Sequence, residues 1–168
     1  MFRGLAHCVS PELVKVLGQM RAGDEIVFAD THFSGRAVYA RVLRADGLVI
    51  TTLLEGVLPL FELDSNADAL VMMAAVPGEQ TDPQTALRYM EVIHRHVPRA
   101  SAPVRVDQFE FYERVRKAFA VVLTGETAAY GSLILRKGAP PIMSPTSDPK
   151  QVPGLNSANN NASETKPL

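Results

Sequence analysis

The chain is poor in sulfur and indole. Its 168 residues include one cysteine, Cys8, and no tryptophan. A single thiol excludes an internal disulfide and any site built on several cysteines. The simplest expected location is the cytoplasm, where thiols stay reduced. Charge of one sign is also missing, since the formal net charge is -1. That balance offers neither the basic footprint of a nucleic-acid binder nor the polybasic patch of a protein held on an anionic membrane, so neither partner is expected. The longest apolar run, Ala69 to Val76, falls far short of the roughly 20 residues a membrane-crossing helix needs. Met1 to His7 lacks the apolar core of a signal peptide. There is no P-loop, no Gly-x-Gly-x-x-Gly, no Gly-x-Ser-x-Gly and no internal repeat.

What is present is a globular composition, 46% hydrophobic and 21% charged, of a size that fits one domain with a tail. The boundary falls at Gly138. Residues 1–138 read as the domain. Residues 139–168 are rich in Pro, Asn and Ser and read as a disordered tail.

Within the domain, Ser10-Pro11-Glu12 opens a helix. Ser10 can cap it, and Pro11 suits the first helical position, where a missing N–H costs nothing. Leu13, Val14, Val16, Leu17 and Met20 follow at helical spacing, and Gly23 is a stop. Glu25 to Asp30 reads as a buried strand with Ile26, Phe28 and Asp30 on one face. Asp30 stands at its carboxyl end, where ligands tend to bind in open α/β sheets. Thr31 to Gly35 is a loop, Ala37 to Leu43 a strand or irregular chain, and Asp46-Gly47 a turn. Leu53, Leu54, Val57, Leu58 and Phe61 mark a second helix with Thr51 or Thr52 as its cap. Leu70 to Val76 reads as a central strand, Pro77 to Asp82 as a loop. Asp82-Pro83 starts a third helix. Val104 to Val106 is a short strand, Phe109 to Lys117 a fourth helix, and Ala118 to Thr124 and Leu133 to Arg136 two further strands. The alternation predicts an α/β fold: a mixed sheet with flanking helices.

The residues able to carry chemistry are few. His94 and His96 sit two apart on a helix and point to nearly opposite sides, which favours a solvated surface over a metal pair. His32 lies two residues past Asp30. If the chain stays extended there, the two could form a proton-transfer pair, although the residues alone favour a surface loop histidine bridging a neighbouring acid. Tyr112, Glu113, Arg114 and Arg116 decorate a helix whose apolar side is read as Phe109, Phe111, Val115 and Ala118. Tyr130-Gly131 could be a hairpin turn.

One block stands out: Gln108-Phe109-Glu110-Phe111-Tyr112-Glu113-Arg114, then Thr124-Gly125-Glu126-Thr127, Tyr130-Gly131-Ser132 and Arg136-Lys137-Gly138. With Ser10-Pro11-Glu12-Leu13, Gly23-Asp24-Glu25-Ile26-Val27, Ala29-Asp30, Arg44-Ala45-Asp46-Gly47 and Pro59-Leu60-Phe61-Glu62-Leu63-Asp64, it closely resembles the L-fucose mutarotase / D-ribose pyranase family, and fucose mutarotases more than ribose pyranases. The similarity runs from about Ser10 to Gly138.

The resemblance implies an α/β sandwich that assembles into homo-oligomers, decameric rings among them, with a monosaccharide site near a subunit interface. It implies mutarotation: a proton leaves the anomeric hydroxyl, one is delivered to the ring oxygen, and the open aldehyde recloses on its other face. This needs positioned acid–base groups but no cofactor and no metal. The family's strand-end aspartate matches Asp30. Its Tyr-Gly-Asn step matches Tyr130-Gly131-Ser132, with a shorter hydroxyl in place of the amide. Its arginine before the aromatic block is Gln108, which lacks the guanidinium fork. Its Gly-His-Gly-Asp step reads Arg21-Ala22-Gly23-Asp24, so the catalytic histidine's position holds Ala22, whose methyl moves no proton. Three readings remain open: a fucose mutarotase in which Asp30, His32 or a tyrosine shares the work, a weak or silent sugar-binding relative, and a ribose pyranase.

Overall fold

The computed structural model describes residues 6–34 and 41–140. The tail expected over residues 139–168 lies, apart from Ala139 and Pro140, outside the described residues, as do Ala37 to Ala40 of the uncertain second strand.

Six strands form one mixed sheet in the order β2-β5-β1-β6-β3-β4. They are β1 (Glu25–Ala29), β2 (Val42–Ala45), β3 (Leu70–Met73), β4 (Val104–Val106), β5 (Ala120–Thr124) and β6 (Leu133–Arg136). Pairing is parallel for β1/β5, β2/β5 and β3/β4. β6 runs antiparallel to both its neighbours, β1 and β3. The expected α/β class and mixed sheet are therefore present. β3 is shorter than the apolar run that announced it and lies next to edge strand β4 rather than at the centre. The central places belong to β1 and β6.

The helices are α1 (Pro11–Gln19), α2 (Ile50–Val57), α3 (Pro83–His96) and α4 (Gln108–Lys117). Strand alternation sends Ile26, Phe28, Leu70, Met72, Val122, Leu133 and Leu135 into one core with α1, α2 and α3. It sends Val27, Ala29, Val71, Val121 and Ile134 into a second core under Phe111 and Val115 of α4. Burying each such large side chain contributes about 1.5–3 kcal/mol.

Local chemistry sets the helix starts. The Ser10 hydroxyl accepts from the Leu13 amide at 3.2 Å, and Asp82 accepts from Gln84 at 2.9 Å. α2 departs from expectation. It begins at Ile50 with no side-chain cap from Val49, and Thr51 and Thr52 lie inside it. The Ile50 amide is instead met by the Glu126 carboxylate at 3.4 Å, a partner 76 residues away. Phe61 falls beyond the helix, because Leu58–Leu60 tightens into a 3-10 turn around Pro59. Phe109 is also corrected. It is 74% exposed, whereas Phe111 is fully buried; two helical residues apart is about 200° around the axis, so the two cannot share a face.

The Tyr130-Gly131 loop is not a hairpin turn, since β5 and β6 flank β1 and do not pair. It crosses the carboxyl end of β1. Gly125 lets the chain pass there, because a Cβ would meet the Gly47 backbone at 2.9 Å.

Candidate functional site

Asp30 follows β1 directly and is nearly buried, at 6% exposure. Its carboxylate is held by three donors: the Ser132 amide at 2.9 Å, the Ser132 hydroxyl at 2.7 Å and the His32 amide at 2.8 Å. The Asp30 amide in turn donates to the Ser132 hydroxyl oxygen at 2.9 Å. Ser132, itself buried, therefore spends its hydroxyl on Asp30. The antiparallel pairing of β1 with β6, with Phe28 opposite Leu133, brings the residues just beyond these strand ends together.

Asp30 faces a cleft of about 310 Å³ shared with His32, Gln108, Tyr112, Tyr130 and Ser132. Ligand clefts start at ~300 Å³, so this one has the scale of a single small molecule. Phe33 and Met73 give it an apolar wall. The rings of Phe33 and Tyr112 lie 5.6 Å apart, and the Tyr112 hydroxyl is 3.3 Å from that of Ser34.

The His32 ring lies against the β5–β6 loop, its Nε2 3.2 Å from the Thr127 carbonyl. A carbonyl only accepts, so Nε2 carries the proton and Nδ1 is the lone-pair nitrogen of the neutral ring. The expected proximity of His32 to Asp30 holds through the backbone: the His32 amide, not its ring, bonds the carboxylate. Gln108 is the first residue of α4, placed at the cleft by the Asp107 cap, which accepts from Glu110 at 2.8 Å.

The Tyr130–Ser132 segment is braced from behind. Gly131 is buried, and its carbonyl accepts from the Tyr89 phenol at 2.8 Å. Burial, with the Glu126 and Asp30 carboxylates nearby, pushes the Tyr89 phenol far above its ordinary value, so it stays a donor. Glu126 also accepts from the Ala128 amide at 3.1 Å. A Cβ on residue 131 would meet the Ala128 carbonyl at 2.7 Å.

Ala22 is not in this cleft. It is exposed and lines a separate one of about 640 Å³ with Arg21, Leu58, Leu60, Glu62 and Lys137. The larger cleft thus holds the methyl beside Arg21, Glu62 and Lys137, and the smaller one holds Asp30, His32 and Gln108.

His94 and His96 are exposed, as read from their spacing. They bond the Ala100 carbonyl at 3.0 Å and the Glu55 carboxylate at 2.8 Å respectively. Among the described residues no group of three His, Cys, Asp or Glu could hold a metal, and no helix is long and apolar enough to cross a membrane.

Several residues at or behind the cleft were not singled out from the sequence: Glu79, Met73, Phe33 and Tyr89. Only Glu79 left a local signal, the Pro77-Gly78 turn pair just before it. Arg114, by contrast, belongs to the signature block and serves the fold. It pairs with Glu25 at 2.8 Å and Asp68 at 3.2 Å, and Arg136 joins Asp68 at 3.3 Å.

The fold and cleft define an α/β protein that presents a small, polar, side-chain-lined cleft at the carboxyl end of a central strand. Residues 3–140 match the RbsD / FucU transport protein family, and the chain belongs to that family. Its fold is that of the fucose mutarotase from Streptococcus pneumoniae, solved in complex with L-fucose. The two are 34% identical over 82% of this chain and 99% of that one, with a TM-score of 0.73. FucU from Bifidobacterium longum matches at 33% identity over 81% and 98%, also with a TM-score of 0.73. RbsD from Bacillus subtilis, complexed with D-ribose, matches over 83% and 98% with a TM-score of 0.63. At 17% identity that last likeness concerns the fold alone.

Proposed function

We propose that this chain is a sugar mutarotase that interconverts the α and β anomers of a free monosaccharide, L-fucose first among them. One observation carries the reading: the Asp30 carboxylate, fixed by three donors, opens onto the same cleft as His32, Gln108 and Tyr130. Likeness to a fucose mutarotase over nearly the whole of that protein supports it. D-ribose is the second substrate to test, on fold likeness. The sugar-handling unit is placed at residues 1–138, with 139–168 appended to it.

In this reading Asp30 accepts from sugar hydroxyls, Gln108 donates and accepts, and the Nδ1 of His32 is the nitrogen able to take a proton. Ser132 acts through Asp30, which it orients, rather than through the sugar.

A second reading has its own observation. Ala22, at the position of the family's histidine, ends in an exposed methyl, so the chain can bind sugar and exchange anomers no faster than buffer. Ala22 and Asp30 also lie beyond opposite ends of β1, whose five residues span roughly 16 Å. Both positions can serve one sugar only if two copies meet. We therefore propose a homo-oligomer whose cleft is completed by a neighbour's Arg21–Asp24 turn.

Saturation-transfer NMR on L-fucose, D-ribose, D-galactose and L-rhamnose tests these readings, comparing the unaltered chain with Ala22→His. Exchange above the buffer rate in the unaltered chain supports the mutarotase and removes the silent relative. No exchange in either form, with any sugar, defeats the mutarotase assignment.

A further inference from the structure

The β3–α3 connection brings one more acidic group to the cleft. Val76, Pro77, Gly78 and Glu79 form a turn closed by the Glu79 amide, which donates to the Val76 carbonyl at 3.0 Å. Pro77 suits its second position, and Gly78, at φ 93°, its third. A similar turn faces it. The Gly131 amide donates to the Ala128 carbonyl at 3.0 Å, and the third position there is Tyr130, at φ 57°. Among the described residues Tyr130 is the only non-glycine with positive φ. A bulky side chain held in that region points to a use for it.

The two turns meet through their side chains. The Tyr130 phenol donates to a Glu79 carboxylate oxygen, and both residues line the cleft. A phenol has one proton and a carboxylate can only accept. With that proton committed to Glu79, the phenolic oxygen has only lone pairs left for a ligand. The hydrogen bond to Glu79 also pushes Tyr130 above its ordinary value, which keeps it protonated.

We propose that Glu79 is a positioning residue of the site: it locks Tyr130 as a hydrogen-bond acceptor, so that Tyr130 recognises a sugar hydroxyl only as a donor. The inference rests on the sugar-binding reading above. It assigns the β3–α3 loop a part in selecting ligands that offer a free hydroxyl at that point over deoxy or O-methyl analogues.

The test uses the full chain with tyrosine labelled at 13Cζ, as four proteins: unaltered, Glu79→Ala, Tyr130→Phe and the double variant; alanine is chosen because a glutamine would still accept from the phenol. The Tyr130 resonance is the one lost in Tyr130→Phe, and it is expected to move in Glu79→Ala without any sugar present. L-fucose affinity is expected to fall about tenfold in Glu79→Ala, the scale of one hydrogen bond. The double variant is expected to bind no worse than Tyr130→Phe alone, with thermal midpoints unchanged because Glu79 is exposed. An unchanged affinity in Glu79→Ala, or losses that add in the double variant, would overturn the lock. Failure of the unaltered chain to bind any sugar of the panel would overturn the sugar reading, and the lock with it; that failure is recognised because it appears before any substitution is made.

Discussion

Ser132 both accepts from and donates to Asp30: its hydroxyl oxygen takes the Asp30 amide at 2.9 Å, and its proton goes to the Asp30 carboxylate at 2.7 Å. Both residues are nearly buried, and the other carboxylate oxygen takes the His32 amide at 2.8 Å. Ser132→Ala should therefore act on stability and on the site together. It leaves a buried amide without an acceptor and a carboxylate short of a donor, at a cost of about 2 kcal/mol. Chemical denaturation should show that loss, and L-fucose titration a weaker site. A variant as stable as the unaltered chain would contradict the clamp.

Tyr130 separates stability from binding. A non-glycine residue in the left-handed region costs about 1–2 kcal/mol, part of which a glycine returns as unfolded-chain entropy. Tyr130→Gly should thus keep the unfolding free energy or raise it by up to ~1 kcal/mol, while sugar affinity falls. A clear loss of stability would show that the phenol holds the loop rather than the ligand.

Two carboxylates on one guanidinium pull the acid stability in opposite directions. The Asp68 carboxyl lies below its ordinary value of 3.8, chiefly through its hydrogen bond to Arg114. Its stabilisation is present above 3.8 and is lost as pH falls through the folded value. Glu25 is raised from 4.5 because burial outweighs the attraction of Arg114. Its contribution is therefore favourable below 4.5 and lost as pH rises through the folded value. Denaturation series below pH 5 should show a shallower acid loss for Asp68→Asn and a steeper one for Glu25→Gln. Parallel curves for all three proteins would remove this account.

The elements legible in the sequence are those whose signals are local. Ser10-Pro11 and Asp82-Pro83 cap their own helices, and the alternation through Ile26 to Ala29 divides itself between the two cores. What was missed depends on distant partners. α2 starts at Ile50 because Glu126 reaches it from the β5–β6 loop. The apolar side assigned to α4 included Phe109 although helical geometry alone puts it opposite Phe111, an error of period rather than of information.

The site divides the same way. Asp30, His32, Gln108, Tyr130 and Ser132 were legible from strand position and family likeness, and the fold gathers them at one cleft. Met73 ends β3, two strands from β1, and Glu79 follows in the next loop; nothing near them in sequence says which cleft they will meet. Ser132 was expected at the sugar. Its bonds to Asp30 could not be read before the register of β1 against β6 was known.

The Arg21–Asp24 turn closes without help from its second residue. The Asp24 amide donates to the Arg21 carbonyl at 3.0 Å, the Arg21 amide to the Asp24 carboxylate at 2.6 Å, and Gly23, at φ 91°, donates to the Lys137 carbonyl at 2.7 Å. Ala22 adds an exposed methyl and none of these bonds. Ala22→His should accordingly change the unfolding free energy by no more than ~0.5 kcal/mol, which a denaturation curve will show; a loss above 1 kcal/mol would mean that the imidazole disturbs the turn. Folding is then blind to what stands at position 22. Natural selection on stability can neither preserve a reactive group there nor oppose its arrival, and reactivity at that turn can come and go by single replacement while the scaffold stays as it is.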